Sequence, residues 1–383
     1  ARLVGSEMCI RDSFVIKAVS SGTLKIGATA GTATLWAAGS NDTVDATNNA
    51  YWTSANDANG TLNAFTAVAR DNDGAESTSA VQAQVAVTAV NDSPSVTPPA
   101  SISVNEDVAS AITAISFADD DAAAGSMVAT FTVVQGTLAA TSGGGVVVGG
   151  TATNLTLTGS VADINSFIGA SNLTYTTVLN DTSTVTMDVS INDGGNTGSG
   201  GPLSSPVSNV DLNVTAVNDA PTHNVPVAQN TTTNNAVVFS TGNSNEITIG
   251  DVDAGANLVE VTLTASDGTL TLSGIAGLTF SAGTGTGDAS MTFQGTIAAI
   301  NTALEGLTFD PTPAFSGSAS FDITTNDLGN SGSGVPGSAM DTVVVNVSFV
   351  NTAPVLAGAN DLAAINEDPL TNAGTLVSDL IAG

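Results

Sequence analysis

The sequence predicts an all-β protein built from tandem β-sandwich modules. Near-copies of one short motif, "VNDSPS" from Val90, "VNDAPT" from Val217 and "VNTAPV" from Val350, recur at intervals of 127 and 133 residues. Before each copy, apolar and polar residues alternate with the period of a half-buried strand. Short runs rich in Thr and Val, separated by Gly, Asn and Asp, make up most of the remainder, as in β-sandwiches.

Each module closes on a strand whose phase is fixed relative to the motif. The alternate positions that end two residues before each motif Asn are apolar in every copy. They are Ala83, Val85, Val87 and Ala89, then Val210, Leu212, Val214 and Ala216, then Val343, Val345, Val347 and Phe349. One face of the closing strand is therefore expected to lie on a core.

One short helix is expected within each complete module. "GSVADINSFIGASNLTY" from Gly159 matches "GTIAAINTALEGLTF" from Gly295. Apolar residues in both segments recur at i, i+3 and i+7, which is helical spacing, and Ser160 and Thr296 are suitable N-caps. The helix and its loops account for a module longer than the roughly 100 residues of a minimal immunoglobulin-like sandwich.

These repeats divide the chain into segments. Residues 14–90 form a partial first module, 91–217 a complete second module, 218–350 a complete third module and 351–383 the start of a fourth. Arg2 to Ser13, "RLVGSEMCIRDS", resembles the translation of a sequencing-library adapter, so residues 1–13 are set apart as an artefact. The chain is then expected to be a fragment of a longer protein.

The charge is strongly one-sided. The chain has 35 Asp and Glu against five Lys and Arg, a formal net charge of −30, and its last basic residue is Arg70. Five acids precede Asp71, which leaves 35 − 5 = 30 acids in a region without Lys or Arg. These carboxylates must be solvated, hydrogen-bonded or bound to cations. The negative field excludes nucleic acid as a partner and disfavours an anionic membrane.

The sequence does not favour catalysis. It contains one His, His223, and one Cys, Cys9, so neither a nucleophilic triad nor a zinc site can be assembled. His223 follows the Pro of the second motif and is expected to be an exposed linker residue. Paired acids of a glycosidase are compatible with so many carboxylates. The prediction is nonetheless a protein that is not an enzyme.

An acidic pattern recurs after each linker motif. "ADDDA" from Ala118 matches "GDVDA" from Gly250, which aligns Asp119 with Asp251 and Asp121 with Asp253. Calcium takes six to eight oxygen ligands, and a linker Asn-Asp beside Asp-x-Asp supplies several of them. The simpler interpretation is that Asn-Asp-x-Pro is only a turn. The two interpretations are compatible.

"VNDAPT", "VNEDV" from Val104, "INEDP" from Ile365 and the Asp-x-Asp-Ala segments together resemble the cadherin-like, immunoglobulin-like tandem repeats of giant bacterial surface proteins and adhesins. The resemblance covers nearly all of residues 14–383 and implies calcium at the module junctions. The ligands that it implies are Asn91, Asp92, Glu106, Asp119, Asp121, Asn218, Asp219, Asp251, Asp253, Asn351 and Glu367. Near Asn351 weaker binding is expected, because "QNTTTNN" from Gln229 lacks the early acid and Thr352 replaces the linker Asp.

The function implied by this resemblance is that of a calcium-stiffened spacer that projects adhesive domains from a large secreted or surface-attached bacterial protein, outside the cell. An alternative is a set of accessory spacer or glycan-binding modules in an extracellular polysaccharide-degrading enzyme. A third possibility is an array that self-associates in a surface layer or biofilm matrix. Expected partners are calcium ions, and then surface glycans or further copies of the chain, with no transmembrane segment in this sequence.

Overall fold

The computed structural model describes residues 11–351 apart from residues 123, 196–197 and 330–331. The chain forms two compact units, residues 1–216 and 217–383. The first unit holds the first module (residues 11–90) and the second module (91–216), and the second unit holds the third module (217–351). The predicted all-β fold class is confirmed, since every module is built from sheets that pack around an apolar core.

Two sheets form the first module. Its strands are β1 (Arg11–Val19), β2 (Thr23–Gly27), β3 (Thr34–Leu35), β4 (Thr43–Val44), β5 (Asn49–Thr53), β6 (Gly60–Asp71) and β7 (Val81–Val87). One sheet has the order β4-β1-β6-β7 and the other β3-β2-β5. A small core of Ile16, Leu24 and Ile26 lies among them. Because β1 begins at Arg11, the last residues of the segment set apart as an artefact pair with β6.

The second module has a six-stranded sheet of order β14-β15-β12-β17-β18-β9, a three-stranded sheet β10-β16-β13 and a pair β11-β8. Its strands are β8 (Ser95–Thr97), β9 (Ser101–Asn105), β10 (Ser110–Ala111), β11 (Ser116–Ala118), β12 (Met127–Val133), β13 (Thr137–Ala140), β14 (Val147–Thr151), β15 (Asn154–Gly159), β16 (Leu173–Thr176), β17 (Val185–Asn192) and β18 (Ser208–Thr215). The closing strand β18 pairs antiparallel with β17 and parallel with β9, the second strand of the module.

The third module repeats this topology. Its strands are β19 (Thr222–Asn224), β20 (Gln229–Thr232), β21 (Val237–Phe239), β22 (Thr248–Gly250), β23 (Leu258–Ser266), β24 (Gly268–Thr271), β25 (Thr279–Ala282), β26 (Ser290–Thr296), β27 (Leu307–Pro311), β28 (Gly317–Asn326) and β29 (Ser338–Ser348). The sheets are β20-β29-β28-β23-β26-β25, β21-β27-β24 and β19-β22. Here too the closing strand, β29, pairs in parallel with the second strand of the module, β20.

The cores follow from the alternation in the strands. In β12 every second residue is buried, from Met127 to Val133, and β17 and β28 show the same pattern. The third module packs aromatic rings at its centre, where Phe321 lies 5.3 Å from Phe239 and 6.0 Å from Phe309 between ring centroids. Burial of these faces is the main contribution to the stability of each sandwich.

Both predicted helices are confirmed. They are α1 (Val161–Gly169) and α2 (Ile297–Leu304). The side chains of Ser160 and Thr296 accept the backbone N–H three residues on, as expected of N-caps. In the part of the chain that the structure describes, no helix has the length and apolar character needed to cross a membrane.

Candidate metal centre at the linker motifs

The linker motif is bound to a glycine-rich loop in the same way in two modules. The backbone N–H of Asn91 donates to the carbonyl of Ser199, and that of Asn218 donates to the carbonyl of Ser333, both at 3.0 Å. The loop lies between the last two strands of the module that the motif opens, namely β17 and β18 or β28 and β29. Each linker is therefore fixed to the module that follows it in the chain.

Close approach explains why these loops need glycine. Gly198 and Gly332 have φ values of +82° and +75°, and a Cβ on either would lie 2.5 Å from the backbone nitrogen of the linker Asn. A side chain would therefore push the loop off the linker. The "GSG" segment of each loop, which begins at Gly198 or Gly332, is therefore needed for the contact with the linker as well as for the turn.

The side-chain amide of each linker Asn has a defined orientation. Nδ2 of Asn91 donates to Oδ2 of Asp193 at 2.6 Å, and Nδ2 of Asn218 donates to Oδ2 of Asp327 at 2.7 Å. Only the NH₂ group can donate to a carboxylate, so the amide nitrogen faces the aspartate. The amide oxygen of each Asn must then point away from it.

Asp193 and Asp327 are themselves held by backbone groups. Oδ1 of Asp193 accepts from the N–H of Gly195 at 2.7 Å and of Leu203 at 2.8 Å. Burial raises the pKa of this carboxyl, but the hydrogen bonds from Leu203, Asn91 and Gly195 outweigh it and hold the pKa below its usual value. Asp193 therefore stays ionised although only 1% of its surface is exposed. Asp327 accepts from its own loop in the same way.

The Asp-x-Asp segment folds into a compact turn around its first carboxylate. Oδ1 of Asp119 accepts the N–H groups of Asp121 and Ala122, each at 3.1 Å. Oδ1 of Asp251 accepts the equivalent N–H groups at 2.9 Å. Because Oδ1 accepts both of these hydrogen bonds, Oδ2 of each carboxylate takes no part in the turn.

The second acid of the pair connects this turn to the linker. Oδ2 of Asp121 accepts the N–H of Asp92 at 2.8 Å, and Oδ2 of Asp253 accepts the N–H of Asp219 at 2.6 Å. The structure thus brings together the linker pair and the Asp-x-Asp pair that are about 30 residues apart in sequence. Two matching clusters result, one in the second module and one in the third.

Four acceptor oxygens in these clusters are buried and receive no hydrogen bond from any described residue. They are Oδ1 of Asn91 and Oδ2 of Asp119 in one cluster, and Oδ1 of Asn218 and Oδ2 of Asp251 in the other. Burial of an unsatisfied polar group costs about 1–3 kcal/mol, and more when the group is charged. Burial also raises the pKa of Asp119, and the adjacent Asp121 side chain adds to that rise. The same pair of buried oxygens recurs in both clusters, and a bound cation would satisfy such oxygens.

These donors fit calcium. Within the described residues no three His, Cys, Asp or Glu side chains converge to form a metal centre of such ligands alone. The clusters instead combine carboxylates with the amide oxygen of Asn, and such hard oxygen donors suit Ca²⁺ rather than Zn²⁺. The buried oxygens without donors are the feature that a bound cation would satisfy.

In the first unit, acids of two modules face one cavity beside the linker. This cavity of about 310 Å³ is lined by residues 54 and 57–59 of the first module, by 87–90, and by acids of the second module. The acids that line it are Asp57, Asp92, Asp120 and Asp121. Like charges in one cavity repel one another unless a cation lies among them.

Three further ligands that the resemblance implies, Glu106, Asn351 and Glu367, stay predictions. Glu106 is 1% exposed and lies at the far end of β18, where its N–H donates to the carbonyl of Thr215 at 3.0 Å. In the third module the N–H of Thr233 donates to Ser348 in the equivalent way, so Thr233 takes the position of that acid. Asn351 is exposed at the end of the described residues, and Glu367 lies outside them.

Sequence reasoning missed four acids of the candidate sites. Asp193 and Asp327 follow the Asn in "NDGG" and "NDLG", and neither acid is among the ligands that the resemblance implies. Their signal was present, because an Asp occupies the same place in both copies. Asp57 and Asp120 have no such equivalent acid in another copy. Only the cavity that both side chains line identifies them.

The prediction that His223 is exposed was wrong. Its side chain is 0% exposed, with Nδ1 3.1 Å from Oδ2 of Asp341 and Nε2 2.8 Å from Oγ1 of Thr325. The ring packs inside the sandwich because β19 pairs with β22 beside the closing strands. Thr325 is fully buried, so this Asp-His-Thr arrangement holds strands together and offers no accessible nucleophile.

Fold and clusters together define a class of protein, namely tandem β-sandwich modules with carboxylate-rich linkers. No protein-family model matches the chain, and comparison with curated proteins gave no match.

Among solved structures, the chain is similar to cadherin ectodomain repeats. Human CDH23 EC21-23 is 15% identical with a TM-score of 0.42, and the match covers 88% of each chain. Mouse cadherin-23 EC22-24 is 15% identical with a TM-score of 0.31, covering 91% of this chain and 90% of that one. Mouse protocadherin-24 EC1-3 is 13% identical with a TM-score of 0.33, covering 91% and 99%.

Proposed function

We propose that this chain is a calcium-stiffened spacer array of a large secreted or surface-attached protein, and that it acts by spacing and rigidity rather than by catalysis. The observation that carries the proposal is the set of buried oxygens without hydrogen-bond donors, which recurs at equivalent positions of two modules. A turn with only a structural role would leave such oxygens in solvent or pair them with N–H groups.

The chain's own residues would hold the ion as follows. In the second module the oxygens of Asn91 and Asp119 bind it, and Asp121 and Asp92 contribute carboxylates beside them. Asp193 orients the Asn91 amide so that its oxygen faces the ion. Asn218, Asp251, Asp253, Asp219 and Asp327 have the corresponding roles in the third module. Calcium supplies positive charge that offsets the repulsion among these acids.

Stiffening follows from the position of the clusters at the linkers. At the Asn91 linker, acids of the first and second modules face one cavity, so a cation there is attracted to both modules at once. Removing the ion leaves like charges that separate into solvent. Calcium is abundant outside cells, which supports an extracellular or cell-surface location and a role in projecting adhesive domains of a bacterial surface protein.

The proposal is tested by thermal unfolding with and without calcium. A ligand that binds only the folded form stabilises it by RT ln(1 + [L]/Kd), so millimolar calcium on a micromolar site should add about 4 kcal/mol per site. Magnesium at equal concentration is the control for general charge screening. Equal melting temperatures in calcium and in chelator would refute calcium binding.

Rigidity is tested separately by small-angle X-ray scattering of the whole chain. The maximum dimension should be sharply defined in calcium and should broaden after chelation. If calcium raises the melting temperature without changing the scattering, the chain binds calcium but the spacer function is wrong.

A further inference from the structure

A buried polar cluster in the third module has an apolar counterpart in the second. The His223 cluster consists of His223, Thr325 and Asp341, in which Nδ1 of the ring lies 3.1 Å from Asp341 and Nε2 lies 2.8 Å from Oγ1 of Thr325. Because a carboxylate only accepts hydrogen bonds, Nδ1 donates to Asp341 and the Thr325 hydroxyl pairs with Nε2. Both nitrogens of the fully buried ring are therefore satisfied.

Strand register identifies the equivalent positions of the second module. His223 and Val96 each lie five residues after a linker Asn, at the centre of a three-residue strand. The Val96 cluster, in the order of its counterparts His223, Thr325 and Asp341, consists of Val96, Ile191 and Ser208. Ile191 is 1% exposed, and Val96 packs against the core of the second module. Apolar side chains thus fill the place where His223 and Thr325 are hydrogen-bonded.

The fold does not require the polar version, because the second module forms the same sheets around Val96 and Ile191. Replacing a buried network of charged or polar groups with apolar residues is often neutral or stabilising, whereas removing one partner is costly. A satisfied polar network favours one specific arrangement over others. Selectivity is therefore the property that such a cluster supplies.

The opening segments of the two modules, residues 91–97 and 218–224, are otherwise alike. In both, the first Asn docks on a glycine-rich loop at 3.0 Å, its amide donates to an Asp, and the next N–H donates to the Asp-x-Asp turn. A buried Pro follows in each segment. The next side chain that faces the core differs, since it is Val96 in one segment and His223 in the other.

We infer that the His223 cluster selects the opening segment of the third module and excludes the equivalent segment of the second, whether from the same chain or from another copy. With residues 91–97 in the third module, Val96 would face the fully buried Thr325 hydroxyl and offer it no hydrogen bond. With residues 218–224 in the second module, the His223 ring would face Ile191. Each exchange buries an unsatisfied polar group, which disfavours it by about tenfold or more.

Such selection has a purpose in a chain of similar modules. Misassembly between domains and exchange of strands are characteristic failures of multidomain and repeat proteins. Specificity is a difference between the correct and the wrong pairing, so two modules with different clusters discriminate between their segments. Two modules with identical clusters do not.

Disulfide trapping after refolding tests this selection. Asn224 lies opposite Thr248 in β19-β22, and Thr97 is the counterpart of Asn224 in the second module. Opposite residues of antiparallel strands are close enough for a disulfide. In a Cys9→Ser background, Thr97→Cys with Thr248→Cys reports the wrong pairing, and Asn224→Cys with Thr248→Cys reports the native one. The whole chain is refolded from urea and then oxidised, and disulfide-linked peptides are quantified by mass spectrometry.

Three sets of substitutions separate selection from stability. One set makes both clusters of the Val96 type: His223→Val, Thr325→Ile and Asp341→Ser. A second set makes both of the His223 type: Val96→His, Ile191→Thr and Ser208→Asp. A third chain carries all six substitutions, which exchange the clusters between the modules and keep them different. This chain is the matched control.

We expect the disulfide between positions 97 and 248 to stay at background in the parent and in the chain with all six substitutions. It should rise about tenfold in both chains with identical clusters. No rise in either of those chains would overturn the inference, and each chain is sufficient by itself. An equal rise in the chain with exchanged clusters would also overturn it, because the substitutions would then act on stability alone.

Discussion

Replacing Asp251 with Asn should have opposite effects on the third module in the presence and absence of calcium. Oδ1 of Asp251 accepts two backbone N–H groups at 2.9 Å, and the amide oxygen of Asn can keep both bonds. Oδ2, which is buried without a donor, becomes an NH₂ group. The substitution therefore preserves the turn and removes one charged ligand.

In chelator, the variant should be at least as stable as the parent chain, because a partly buried negative charge without a counter-ion is removed. In calcium at about 1,000 times the parent Kd, the parent gains about 4.1 kcal/mol. A roughly 100-fold loss of affinity would lower the gain to about 1.4 kcal/mol. The loss of about 2.7 kcal/mol corresponds to a fall in melting temperature of roughly 8 °C for a module of this size.

The assay is thermal unfolding followed by circular dichroism, in chelator and in calcium. Asp267→Asn is the matched control, since Asp267 is exposed and has a φ of 54° that Asn tolerates well. The control should respond to calcium like the parent chain. If Asp251→Asn responds to calcium as strongly as Asp267→Asn does, Asp251 is not a ligand and the assignment of the third-module site is wrong.

Three further predictions concern the fold. Phe321→Ala should lower the free energy of unfolding in urea by about 3–5 kcal/mol because the ring is 1% exposed, whereas Phe349→Ala, 68% exposed, should change it by less than about 0.5 kcal/mol. Gly332→Ala should destabilise the third module more than Gly287→Ala; both have positive φ, but only Gly332 abuts the linker backbone, and equal effects in urea would contradict that contact. Burial raises the pKa of Asp288, but backbone N–H donors outweigh it and lower the pKa, so its contribution is present at neutral pH and is lost as the pH falls below about 4. Asp288→Asn should reduce the dependence of the free energy of unfolding on pH in that range. An Asp288 carboxyl resonance that titrates at or above pH 4 would contradict the lowered pKa.

Much of each module could be predicted because its signals are local. Alternation before Asn91 and Asn218 predicted the closing strands, and the i, i+3, i+7 spacing with Ser160 and Thr296 predicted both helices with their caps. These patterns depend on which face of one element is buried, and a single strand or helix records that in its own residues.

The candidate site could be predicted only in part. Equal spacing in two copies identified the linker pairs and the Asp-x-Asp pairs, and the structure brings them together. Asp193 and Asp327 were missed because their role depends on a contact with an Asn more than 100 residues earlier in the chain. The burial of His223 was missed for a related reason. Its ring nitrogens hydrogen-bond to Thr325 and Asp341, which lie on strands about 100 residues later in the chain.

The sequence by itself determined the all-β class, the repeat, the strand phases and the acidic excess, because each of these depends only on residue periodicity and composition. Tertiary structure alone decided which carboxylate and amide oxygens are buried without a donor, which aspartate orients each linker Asn, and where the ring of His223 is buried. Those properties depend on how strands far apart in the chain pair, and pairing at long range leaves no periodic signal in either partner.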